Sequence, residues 1–205
     1  MTQASLLRAG SRLAAGAALL AICLAAVVLA GCSRGKPWHL KEISGLLPAL
    51  KFEMTADDGS IVTADDYKGK VVMLYFGYTH CPDVCPTTLA KLALVLSQLG
   101  SKADRVRVLF VTVDPSRDTL PVLKEYVHAF DSHFVGLRGT DGQLEALAKR
   151  YRVSYEIGPK DPQGNYEVTH SSAIFIFGQD GKARLLATST SSVPDIAADL
   201  KRLVG

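Results

Sequence analysis

Two cysteines, Cys81 and Cys85, stand four positions apart, and a proline follows each, Pro82 and Pro86. A dithiol can exchange with a disulfide, one thiolate attacking sulfur while the other resolves. It can also hold a soft metal ion. The spacing here is one residue longer than the Cys-x-x-Cys redox pair, a wider bite that suits two sulfurs on one ion and still permits a disulfide. Two thiolates select Cu(I), zinc or an iron–sulfur cluster. A structural zinc site asks for four ligands, and the other two cysteines, Cys23 and Cys32, lie far upstream. Copper accepts fewer ligands and needs one more donor, most simply an imidazole. Five histidines are available. His170 sits just before a late apolar run, in the loop expected to border the dithiol. His80 adjoins Cys81, where it can lower the thiol pKa but is awkwardly close for shared coordination. His128 and His133 read as solvated, and His39 lies in an upstream linker. Position alone does not settle which of them serves.

The dithiol is delivered by two elements. Val71 to Phe76 is almost wholly apolar, as a strand covered on both faces requires. After the cysteines, Leu89, Leu92, Ala93, Leu96 and Leu99 form one stripe of a helix over 88–99, ended by Gly100. Pro86 disfavours helical backbone at Cys85, so one reading starts the helix at Pro86 with Cys85 near the N-cap. In the other, Pro82 is the first helical residue and both thiols share a face, their Cβ atoms about 5–6 Å apart. Either way both sulfurs sit at a helix N-terminus, where unpaired N–H groups and the dipole favour thiolate. Asp83 and Asp114 are acids near the ligands in sequence. Asp83 reads as holding the loop through a side-chain-to-backbone bond, and Asp114, before Pro115, as a turn residue. Tyr75, Phe76 and Tyr78 read as strand and core.

The other elements follow from periodicity. Residues 51–54 and 61–63 around Asp57-Asp58-Gly59-Ser60 predict a hairpin. Strands are expected over 106–113, 134–137, 172–177 and 183–189, and helices over 119–130, 141–151 and 195–204, with Asp141 capping the second and Pro194 opening the third. Segments 153–157 and 166–168 flank a polar excursion, 158–165. The order is a parallel βαβ unit followed by an antiparallel hairpin and a last helix. That is the thioredoxin plan: an α/β domain with a central mixed sheet flanked by helices and an N-terminal β-hairpin. Its site lies beyond the carboxyl end of the first βαβ strand.

Upstream, Arg8 and Arg12 precede an apolar run, Leu13 to Ala30, that ends in Leu29-Ala30-Gly31-Cys32. A basic start, an apolar stretch and small residues describe an export signal, and the tetrad resembles the lipobox of bacterial lipoproteins, with Cys32 as the lipidated N-terminus. An uncleaved membrane anchor is the alternative. The expected organisation is a signal over 1–32, a tether over 33–49 and one domain over 50–205, exported and membrane-anchored on the periplasmic or extracellular face. Beyond Cys32, 21 Lys and Arg face 20 Asp and Glu, so nothing points to a nucleic-acid surface. One close cysteine pair in an exported domain is no disulfide scaffold, and its short loop adds little stability.

Three separated blocks carry a family resemblance. Tyr75-Phe76-Gly77-Tyr78-Thr79-His80-Cys81-Pro82-Asp83-Val84-Cys85-Pro86 resembles the signature of the SCO/SenC copper-binding proteins. Val111-Thr112-Val113-Asp114-Pro115 with Arg117-Asp118-Thr119 resembles the next block, and Val168-Thr169-His170-Ser171-Ser172 the block that supplies a metal histidine. The resemblance implies a thioredoxin-like fold and one copper, Cu(I) or Cu(II), on Cys81, Cys85 and His170. It implies a metallochaperone for the binuclear copper centre of cytochrome c oxidase. The partners would be that oxidase subunit, a copper donor and a thiol reductant. Family members often carry an acid before the histidine, where this chain has Thr169. The alternative function is a thiol–disulfide oxidoreductase that reduces the cysteines of that oxidase site. A thiol peroxidase is disfavoured, because Thr79 stands two residues before Cys81 and the Thr-x-x-Cys pattern is absent.

Overall fold

The apolar run at Val71 becomes the middle of the domain. In the computed structural model, which describes residues 36–163 and 165–205, β4 (Val71–Gly77) is buried at all seven positions. Seven more strands share its sheet: β1 (Lys41–Glu42), β2 (Glu53–Ala56), β3 (Ile61–Thr63), β5 (Val106–Thr112), β6 (Phe134–Arg138), β9 (Ile174–Phe177) and β10 (Ala183–Ala187). Their order is β1-β10-β9-β4-β5-β6-β2-β3. β4, β5 and β6 run parallel, and the outer pairings are antiparallel. A separate two-stranded sheet pairs β7 (Tyr155–Ile157) with β8 (Val168–His170).

Among the described residues there are four α-helices: α1 (Val84–Leu99), α2 (Leu120–His128), α3 (Asp141–Tyr151) and α4 (Val193–Val204). α1 packs against α4, and α2 against β6. The Leu89, Leu92, Leu96 and Leu99 stripe is buried as expected, and Gly100 ends α1 at φ 58°, in the left-handed region open to glycine. None of these helices is long and apolar enough to cross a membrane. The mixed α/β sheet with its β2–β3 hairpin is the fold class expected from the sequence.

Several boundaries differ. α1 starts at Val84, between the two starts considered, so Cys85 is its second residue and Cys81 lies outside it. Pro86 is tolerated because it falls among the first helical residues, whose N–H groups have no intrahelical acceptor. Thr140, not Asp141, caps α3, forming a capping box with Gln143. Pro194 is the second residue of α4, whose N-cap is Ser192. His170 ends a strand instead of lying in a turn, because β8 pairs Tyr155 with His170.

The signal and Cys32 fall within residues 1–35, outside the described residues. From Trp38 onward the stretch read as a tether is fastened to the domain. Asp199, a fully buried carboxylate on α4, accepts the N–H groups of His39 and Leu40 at 2.9 and 2.8 Å. Leu40 and Ile43 are buried, and the Arg202 guanidinium covers the Trp38 ring at 3.8 Å.

Candidate metal centre

The end of β4 and the start of α1 form a rigid corner. At Gly77 a Cβ would lie 2.7 Å from Phe110 Cε2 and 2.9 Å from Cys85 Sγ, so only glycine lets the cysteine pack directly on the strand. Cys85 is fully buried there, with the Tyr75 hydroxyl donating to its sulfur at 3.7 Å. Burial pushes the Cys85 thiol up to about 12; the Tyr78 backbone N–H opposes this, and the nearby Cys81 charge adds to it. Cys81 lies half-buried in front of the helix. Its sulfur accepts the Cys85 N–H at 3.4 Å, and the Asp83 and Val84 backbone amides also favour its thiolate form. Burial alone would raise this thiol, but these donors outweigh it and hold the pKa below the ordinary 9.0. The two thiols are thus unlike: the half-buried Cys81 is shifted toward thiolate, and the deep Cys85 is held protonated.

His170 reaches the pair from β8. Its Nδ1 lies 3.1 Å from the Ser171 carbonyl and its Nε2 3.2 Å from Cys85 Sγ. A carbonyl only accepts, so Nδ1 carries the proton and the Nε2 lone pair faces the sulfurs. Burial lowers its pKa below 6.5, with bonds to the Ser171 and Phe76 backbone opposing, which keeps the ring neutral. Tyr75 and Tyr78 meet the ring edge-on at 6.0 and 5.8 Å. The donor atoms of Cys81, Cys85 and His170 all lie within 4.8 Å of one another. Two sulfurs and one neutral imidazole nitrogen, converging without a carboxylate, make a soft donor set of the kind that suits copper. Above them opens a cleft of about 480 Å³, lined by Tyr78, His80, Val84, Tyr166 and Thr169 among others.

The other sequence candidates have different positions. His80 is half-exposed at the cleft mouth, its Nδ1 3.1 Å from Thr79 Oγ1. Asp83 is the N-cap residue of α1, but its side chain makes no capping bond and accepts only the Thr87 hydroxyl at 3.4 Å. The loop is held by the Cys81 sulfur instead, so the expected side-chain role of Asp83 is not what the loop uses. Asp114 makes the expected turn, its carbonyl accepting the Arg117 and Asp118 N–H groups. It is also a fully buried carboxylate that pairs with Arg117 and accepts the Tyr166 hydroxyl at 2.7 Å. His128 and His133 are not simply solvated. His128 faces the buried Asp57 at 3.5 Å, and His133 sits between Asp131 and Asp104 at 2.6 and 3.2 Å.

Three participants were not foreseen: Gly77, Thr79 and Asp118. Asp118 is fully buried and accepts Thr79 N–H, Thr79 Oγ1 and Thr112 Oγ1 at 3.1, 2.6 and 2.5 Å. It staples the loop before Cys81 to the end of β5. The sequence offered only an acid beside the N-cap Thr119.

The model of the family described as SCO1/SenC matches residues 46–205. The chain belongs to the SCO1/SenC family. Its thioredoxin-like fold is the one expected from the three motif blocks. The Bos taurus protein named SCO2 homolog, mitochondrial, is 42% identical over 132 residues, 63% of this chain and 50% of that protein. This family member thus spans about half the length of the curated relatives it matches. The structure of Bradyrhizobium japonicum ScoI with copper bound is 37% identical, covers 76% of this chain and 99% of that one, and superposes with a TM-score of 0.70. A SCO1/SenC family lipoprotein from Bacillus anthracis str. Ames is 25% identical, with 82% and 100% coverage and a TM-score of 0.69.

Proposed function

We propose that this chain is a membrane-tethered copper metallochaperone. It takes up one copper ion on Cys81, Cys85 and His170 and delivers it to the binuclear copper centre of cytochrome c oxidase. The observation that carries this reading is the convergence of two sulfurs and a lone-pair-bearing imidazole nitrogen within 4.8 Å, under an open cleft. A related structure that holds copper supports the choice of ion. Copper is cargo here. The site suits that role because it is open on one side and asymmetric. Cys81, the less buried thiol and the more easily ionised of the two, meets the ion first, and Cys85 must lose its proton as the ion arrives. A relative described as a lipoprotein supports an exported anchor through Cys32. The signal over 1–32, the oxidase subunit as recipient, and a copper donor and thiol reductant as further partners belong to the same proposal.

The test is an anaerobic Cu(I) titration of the full chain in detergent, followed by desalting. About one copper per reduced chain is expected to survive, and none after the dithiol is oxidised. Copper lost on desalting from the reduced chain overturns the reading.

The thiol asymmetry favours a second activity at the same residues, reduction of the oxidase cysteines. Cys81 attacks a target disulfide and leaves a mixed disulfide, which Cys85 resolves. The target ends as two thiols and Cys81–Cys85 as a disulfide. Trapping of a mixed disulfide by Cys85→Ser, undiminished by His170→Ala, is the expected sign. Absence of trapping excludes it.

A further inference from the structure

His80 takes no part in the trio, yet its ring is held as a ligand's ring is held. Asp118 can only accept as a carboxylate, so the single hydroxyl hydrogen of Thr79 is committed to Asp118 Oδ1 at 2.6 Å. The Thr79 oxygen is then the acceptor for His80 Nδ1 at 3.1 Å, and Nδ1 carries the ring proton. The lone pair is left on Nε2. A carboxylate fixing an imidazole tautomer is what metal-binding histidines use; here one hydroxyl is interposed. Asp118 is itself immobile, fully buried and bonded also to Thr79 N–H and Thr112 Oγ1.

Access supplies the second half. Cys85 is fully buried and His170 half-buried, whereas the His80 side chain is 52% exposed and lines the same cleft as Cys81 and His170. An incoming or outgoing ion must change ligands one at a time, since leaving two thiolates at once forfeits both bonds before any is replaced. A donor that lines the same cleft and neighbours the less buried thiol in the chain shortens that path.

We propose that His80 is a transfer ligand: its Nε2, oriented by the Asp118–Thr79 relay, binds copper in transit between the Cys81–Cys85–His170 floor and an external partner. The exchange forms one Cu–N bond as a Cu–S bond to Cys81 breaks, and copper stays Cu(I) throughout. This rests on the copper-carrying reading above.

A ligand used only in transit lowers the barrier and leaves the equilibrium alone, so loading and unloading must slow by the same factor in its absence. The experiment follows Cu(I) exchange between the full chain and the chelator bathocuproine disulfonate by stopped flow, in both directions, with affinity from the equilibrium. For His80→Ala, both rates are expected to fall at least about tenfold, a barrier increase of about 1.4 kcal/mol, with affinity changed less than about twofold. His80→Met, which returns a soft donor without the relay, is expected to restore most of the rate. ¹⁵N NMR of the wild-type ring is expected to show the proton on Nδ1. Unchanged rates in His80→Ala overturn the proposal. So does an affinity loss comparable to that of His170→Ala, which would make His80 a resting ligand. A wild-type chain that holds no copper at all fails the underlying reading instead.

Discussion

Replacing Gly77 by alanine tests whether the strand end and the dithiol form one rigid corner. The added Cβ would fall 2.7 Å from the Phe110 ring and 2.9 Å from Cys85 Sγ. Contacts become ordinary near about 3.4–3.5 Å, so the ring must yield roughly 0.7 Å and the sulfur roughly 0.5 Å. Neither neighbour is free to move, because Phe110 is fully buried on β5 and Cys85 is anchored in the first turn of α1. Overpacking of this kind costs about 1–3 kcal/mol, and for a domain of this size 2 kcal/mol is about 4–8 °C in Tm. The sulfur displacement alone equals the tolerance of about 0.5 Å within which a binding constellation must be held. Cu(I) affinity is therefore expected to drop about tenfold, or about 1.4 kcal/mol. Thermal denaturation and competition against a Cu(I) chelator read the two effects separately. A second variant, Gly77→Ala with Phe110→Leu, removes the ring edge but not the sulfur contact. Relative to Phe110→Leu alone, its stability penalty is expected to shrink while the affinity loss persists. A Gly77→Ala chain with wild-type Tm and wild-type affinity would refute the packing described for this corner.

Alkylation separates the thiols. At pH 8 a thiol at about 12 is roughly one part in ten thousand thiolate and one below 9.0 at least about a tenth, a ratio near 10³; the lower intrinsic nucleophilicity of the low-pKa sulfur returns about twentyfold of it. Iodoacetamide is expected to modify Cys81 at least about fiftyfold faster than Cys85, and equal rates would contradict the asymmetry. His170 gives a pH signature. Its folded pKa lies below 6.5, so the unfolded chain binds the proton more readily. Apo-chain stability that is complete above about 6.5 is expected to fall as pH drops through the window beneath it. Urea denaturation of His170→Gln should show a shallower slope there, and an identical slope would exclude this residue as the cause. Arg117→Met breaks the pairing with Asp114 and the bond from Nη1 to the Tyr166 carbonyl at 3.1 Å. Hydrogen exchange is expected to rise in residues 159–167; no change there would show that the excursion does not depend on Arg117.

The core of the fold was legible because burial on both faces leaves a plain mark. The run Val71 to Phe76 could be little else than a central strand, and the leucine stripe of α1 could be little else than a buried helix face. The start of α1 was less legible. Proline at 86 argues for a start there and proline at 82 for a start four residues earlier; the helix begins between them because its first residues tolerate proline and the Cys81 sulfur caps the backbone there. His170 was found through its motif block. The pairing that carries it, Tyr155 opposite His170, bridges an excursion with no hydrophobic period. Gly77 and Asp118 act through contacts with Cys85, Thr79 and Thr112. Those contacts depend on how β4 and β5 lie side by side, with Gly77 opposite Thr112, and no local pattern records that register. His128 is exposed as expected, though the carboxylate it faces, Asp57, comes from a distant segment; His133 is less solvated than expected, held by its near neighbour Asp131 and by the distant Asp104.

The central claim concerns which atoms hold the ion, and X-ray absorption at the copper edge of the Cu(I)-loaded full chain addresses it most directly. Two sulfur scatterers and one imidazole are expected. The imidazole should be lost in His170→Ala, with affinity down by at least about tenfold to a hundredfold, since even residues that only orient a ligand cost that much. A sulfur-only spectrum unaffected by His170→Ala, or one of nitrogen and oxygen alone, would contradict the assignment.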